Sequence, residues 1–208
     1  LEELQDGKFN KAALIALDQK QSQLLNENLI LPYLSNADST VRGTALWVLE
    51  NHPDWEMAFT DYLQYYFSHE NSQISELKSI LRSFVNTKPV QSYLAEILRS
   101  ANKSIDEKFQ VLSLLEANPP KVLLPGLKDS LLKLLSSQDE RIQNAVINLA
   151  VQLKEDDFLS EFRALLAENK DKPSVKLVLY KGLVGLGEPL ATNDFEWIAR
   201  LLLIKESQ

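Results

Sequence analysis

Apolar residues near the start of helix-like stretches recur at a nearly constant interval along this chain. Phe9, Val41, Ile74, Ile105, Ile142 and Val175 are separated by 32, 33, 31, 37 and 33 positions. That interval accommodates two helices and two turns, and internal repetition of this length marks a repeat architecture. Asp6-Gly7-Lys8-Phe9, Asp38-Ser39-Thr40-Val41 and Asp139-Glu140-Arg141-Ile142 share one layout: a cap-like Asp, a bulky apolar residue three positions on, and small or apolar residues a turn later. Ser104-Ile105 and Ser174-Val175 open looser versions. A two-helix unit cannot bury its apolar face alone, so neighbouring units must stack.

Within each unit apolar residues follow i, i+3, i+4, i+7 spacing and clean period-2 alternation is hard to find, which predicts an all-α class. Turn signals such as Asn36-Ala37-Asp38-Ser39, Asn51-His52-Pro53-Asp54, Asn118-Pro119-Pro120 and Gly187-Glu188-Pro189 separate the helices. The second helix of each pair is expected at 8–18, 41–51, 73–86, 105–117, 139–154 and 174–186, and the first near 25–35, 54–69, 90–101, 122–136, 157–168 and 193–205. The whole of 1–208 reads as one repeat domain of about five and a half hairpins. Because Leu201-Leu202-Leu203-Ile204 make the last helix apolar around most of its circumference, covering layers are expected to have been removed from a longer protein, leaving ends able to self-associate.

Charge and composition narrow the function classes. A net charge of −7 and a pI near 5.0 repel phosphate backbones, and no run of Lys or Arg offsets that average, so no nucleic-acid partner is expected. No stretch reaches the roughly 18–20 apolar residues that span a bilayer, so no membrane insertion is expected either. With zero cysteines the chain can form no disulfide, thiolate nucleophile, zinc-thiolate site or covalent haem link.

Asp-x-x-Val-Arg turns followed by a small-apolar helix resemble the HEAT family. The resemblance implies a right-handed, armadillo-like α-solenoid of stacked antiparallel hairpins whose second helices line the concave side. Two stretches, Lys11–Gln19 and Arg42–Trp55, are similar to the HEAT segment of large exported bacterial proteins of planctomycete and Bacteroidetes type, described as membrane-bound dehydrogenases or haem-binding proteins. In that family the solenoid lies between a sorbosone-dehydrogenase-like β-propeller and a c-type cytochrome domain with a CxxCH motif. The resemblance therefore implies an exported or periplasmic setting and a segment that docks a cytochrome against a catalytic domain. Any oxidoreductase chemistry would lie outside this segment, which is expected to carry no cofactor itself.

Candidate chemical sites are sparse. His52 and His69 are isolated and form no His-x-x-x-His pair, so metal or general-base use is not expected; both read as partners for helix C-termini. Gly182, Gly185 and Gly187 run in the order G-x-x-G-x-G and close a helix, unlike a dinucleotide fingerprint. They read as two close-approach glycines and a left-handed C-cap. Trp55, Phe59, Tyr62 and Tyr66 fall at i, i+4, i+7 and i+11, a stripe expected to be buried, with Tyr65 at the solvent edge. Acidic clusters such as Asp139-Glu140 and Asp156-Asp157 suit helix N-termini.

With no catalytic residue identified, the expectation is a non-enzymatic scaffold for protein–protein or inter-domain contacts. Cations on the second helices, Arg42, Lys78, Arg82, Lys108, Lys176 and Lys181, are the candidate partner-binding residues. A solvated face balanced by Glu50, Glu76 and Glu107 is the competing reading. Val41, Ile142 and Val175 should point inward, and Arg42 and Lys176 outward.

Overall fold

The computed structural model describes residues 7–20, 25–69, 74–168 and 173–205, with side-chain surroundings given between residues 11 and 200. The described residues are all-helical. Twelve α-helices follow one another: α1 Gly7–Gln19, α2 Glu27–Leu34, α3 Ser39–Glu50, α4 Glu56–Ser68, α5 Ile74–Phe84, α6 Lys88–Arg99, α7 Ile105–Ala117, α8 Pro125–Leu134, α9 Glu140–Leu153, α10 Leu159–Glu168, α11 Pro173–Gly185 and α12 Thr192–Lys205. A 3-10 turn, Asp156–Phe158, precedes α10. Each sequence-predicted helix has its counterpart here, displaced at its ends by a few residues. No described helix is long and apolar enough to cross a membrane.

Local chemistry explains the boundaries. Asp38 caps α3 by accepting from the backbone N–H of Thr40 at 2.8 Å, and Asp139 caps α9 through Arg141 N–H at 2.9 Å. Ser104 and Glu107 form a reciprocal capping box on α7, with bonds of 3.1 and 2.8 Å. At the far ends, Lys154 terminates α9 with φ 55°, and Gly187 follows α11 with φ 87°, where a side chain would be strained.

Two compact units divide the chain: residues 1–100 with 122–127, and residues 101–121 with 128–208. Helix α8 thus begins in the first and continues in the second. In the first unit α3 packs on α1, α2 and α5, while α4 packs on α2 and α6. In the second, α9 packs on α7 and α11, and α10 packs on α11. Packing onto the next helix but one is the rule expected of stacked two-helix repeats. The first core centres on Phe59 and Phe84, fully buried with ring centroids 4.7 Å apart. In the second, Phe158 and Phe162 are buried, and Gly182 of α11 approaches Ile147 of α9 and Phe162 of α10.

Two register details depart from expectation. Val41 and Ile142 are buried, each three residues after its Asp cap, but Ile105 is 41% exposed and Val175 is only half-buried. The cap sets the register: Ile105 directly follows Ser104, so the position matching Val41 belongs to Glu107, which the capping box occupies. Phe59, Tyr62 and Tyr66 form the expected buried stripe and Tyr65 is 37% exposed, whereas Trp55 sits half-exposed just before α4. The side chains of Phe9 and of Leu201 to Ile204 lie outside the described residues.

Candidate functional site

The six cations singled out from sequence occupy three environments. Arg42 and Lys176 are engaged within the fold. The Arg42 guanidinium is mostly buried, pairs with Glu76 of α5 through Nε at 3.2 Å, and donates from Nη1 to the Asn36 carbonyl at 2.8 Å. The hydrogen bond to Glu76 holds its pKa above the ordinary Arg value. Rather than standing out from α3, Arg42 braces α3 against α5. Lys176 folds over the Trp197 ring at 4.1 Å and the Tyr180 ring at 5.7 Å, while Tyr180 donates its hydroxyl to Asp194 at 2.5 Å. Together these contacts fasten α12 to α11.

Lys78 and Arg82 lie one turn apart on α5, Lys78 half-buried and Arg82 exposed. Lys108 is half-buried on α7, and Lys181 is exposed on α11, where its ammonium donates to the Asn148 side-chain oxygen at 3.2 Å. Of the acids expected to balance these cations, Glu76 does so for Arg42, and Glu107 is engaged by groups outside the six, accepting from Lys103 at 2.8 Å and from Ser104. The Lys103 bond, then those from Ser104, hold the Glu107 carboxyl below its usual range.

The two histidines serve structure. His52 Nε2 meets Asp18 Oδ1 of α1 at 2.7 Å, and its ring stacks on Trp55 at 4.0 Å, so it bridges α1 to the α3–α4 turn instead of closing its own helix. His69 Nδ1 sits 2.9 Å from the Tyr65 carbonyl, as expected of a helix C-terminus. Among the described residues no three His, Asp or Glu side chains gather in a metal-binding group.

Two of these cations, Arg42 and Lys181, each line a cavity. In the first unit a polar pocket of about 230 Å³ is lined by Asn36, Arg42, Tyr62, Tyr65 and Tyr66. Burial pushes the Tyr62 phenol up to about 12, and the Tyr66 hydroxyl is buried without a hydrogen-bond partner. In the second unit a largely apolar groove of about 900 Å³ runs between α9, α11 and α12, with Val151, Leu177, Val184 and Ile198 along it and Lys181 beside them. Of the residues lining this groove, Lys181 and Gly185 were singled out from sequence, and its aliphatic residues were not. Their signal was there in α11, where apolar residues between Val175 and Val184 ring the helix and cannot all face one core.

No family model matches the chain, and no curated protein matches it. Among solved structures, the crystal structure of an engineered protein is similar over 85% of this chain and 84% of its own, with 14% identity and a TM-score of 0.45. At that level the likeness supports no assignment.

Proposed function

We propose that this chain is a non-catalytic, HEAT-type scaffold that holds other protein segments, either separate partners or neighbouring domains of a longer chain. Within each unit, helices packed on the next but one present side chains from alternate helices, a surface well suited to protein contacts. The observation that carries the reading is the state of the charges on these helices within each unit. Arg82, Lys108 and Lys181 stand exposed or half-exposed, while Glu76 and Glu107 are bound to other groups. Cations left in this way on a chain of net charge −7 favour acidic protein segments through local field complementarity.

Co-precipitation by the immobilised chain, compared with an Arg82→Glu/Lys108→Glu/Lys181→Glu variant, tests this. The wild type should capture a defined protein in stoichiometric amount and the variant should lose it, with the thermal midpoint nearly unchanged because exposed charge changes typically cost less than about 0.5 kcal/mol each. Equal capture by both chains, or none by the wild type, overturns the proposal. The resemblance over Arg42–Trp55 extends it to spacing between a dehydrogenase-like propeller and a cytochrome domain. An open reading frame encoding neither a propeller upstream nor a CxxCH motif downstream would remove that extension.

A further inference from the structure

Helix α11 exposes one continuous strip: Leu177, Lys181 and Val184, at i, i+4 and i+7, with Leu177 47% and Val184 52% exposed. The strip is about 10 Å long, two helical turns. It forms one wall of the 900 Å³ groove, with Val151 of α9 and Ile198 of α12 across from it. Large aliphatic side chains left in solvent beside an open apolar trough mark a surface shaped for a partner.

Charge sits at the centre of this strip. Lys181 bonds to Asn148 and pairs with no carboxylate among the described residues. The next cation on the helix, Lys176, is held over Trp197, and Glu116 of α7 is the acid in the lining. An occupant must therefore bring apolar groups to Leu177 and Val184 and a negative charge to the point between them.

Backbone chemistry selects the form of that occupant. The walls are helices whose main-chain groups bond internally, so the groove offers no strand edge to an extended peptide. A segment entering an apolar trough must satisfy its own N–H and C=O groups, which a helix does. We infer that this groove docks an amphipathic helix of a partner protein carrying a carboxylate, on its apolar face, between two aliphatic residues spaced about two turns apart. The inference rests on the scaffold reading and gives its site and partner chemistry.

Fluorescence anisotropy with a labelled peptide of about four helical turns tests it, using Leu, Glu and Leu at i, i+4 and i+7 on an alanine-rich background. The peptide should bind saturably to the whole chain and lose about tenfold or more in affinity with Lys181→Glu, because that substitution sets two carboxylates together. A peptide with Lys in place of the Glu should regain binding to Lys181→Glu. Leu177→Ser/Val184→Ser, at exposed positions that leave the core intact, should abolish binding without lowering the thermal midpoint. Absence of saturable binding, or binding indifferent to both variants, overturns the inference. So does laurate binding in place of the peptide, which would make the trough a lipid site, or a dimer in sedimentation that Leu177→Ser/Val184→Ser dissolves. Protein capture that survives Leu177→Ser/Val184→Ser moves the partner elsewhere and leaves the scaffold reading intact; no capture by the wild type removes the scaffold reading, while the peptide result still decides the groove.

Discussion

Gln91 makes a sharp energetic test of single side chains in this fold. Almost fully buried on α6, it donates to the carbonyls of Val85 and Val122 at 3.0 and 2.9 Å and accepts from Leu124 N–H at 2.9 Å, tying the segment before α8 to α6. Gln91→Leu fills similar space but strips partners from three backbone groups, so it should cost about 3 kcal/mol, read as a lower urea midpoint at unchanged slope. Tyr66→Phe should do the opposite. Its hydroxyl is buried and already unpartnered, so removing it should be neutral or stabilise by up to about 1 kcal/mol, and a marked loss would mean that the hydroxyl is bonded after all. Neither role was legible in the sequence. A lone Gln within a helix looks like any surface polar residue, because two of its three partners lie 31 and 33 positions away. Arg42 shows part of the same limit: the sequence names Glu76 among the acids that could balance the cations, but not that Arg42 is the one it meets, 34 positions earlier.

At the scale of helices, local signals carried most of the information. Asp38, Ser104 and Asp139 mark where α3, α7 and α9 begin because each supplies the oxygen that a free N–H needs. The apolar marker was less faithful, since Ile105 can sit one residue after its cap and Val41 three after its own and still satisfy a similar pattern. Packing distance separates two glycines that look alike in a helix. A Cβ on Gly182 would lie 2.8 Å from both Ile147 Cγ2 and Phe162 Cε2, whereas one on Gly43 would meet nothing within 4 Å. Gly43→Ala should therefore stabilise by about 0.5–1 kcal/mol through helix propensity and reduced unfolded-state freedom. Gly182→Ala should lose about 1–3 kcal/mol to overpacking between α9, α10 and α11. Paired thermal melts with shifts of opposite sign are the expected result, and equal signs would contradict the close α9–α11 approach.

For the molecule as a whole, the sequence period located the twelve helices of the described residues, because a packing rule repeated along the chain leaves a periodic trace. The groove left no comparable trace, since it depends on how α12 lies against α11 through Lys176, Trp197, Tyr180 and Asp194, contacts made only once. Buried phenols in each unit also set a pH response. Tyr62 in the first unit and Tyr180 in the second have phenols raised from 10.0 to about 12, Tyr62 chiefly by burial and Tyr180 by burial and then its bond to Asp194. A phenol whose pKa is higher folded than unfolded contributes stability that is fully present below pH 10 and is lost as pH rises through 12. Between those values the unfolded chain releases protons that the folded chain retains. Urea midpoints across this window should fall for the wild type, less for Tyr62→Phe or Tyr180→Phe, and least for the double variant, although variants with Tyr180→Phe begin lower because the substitution also frees Asp194. The comparison is therefore the slope against pH rather than the midpoint at one pH. Equal slopes in all four chains would mean that neither phenol is held protonated by the fold, and the account of Tyr180 as part of the clamp on α12 would fall with it.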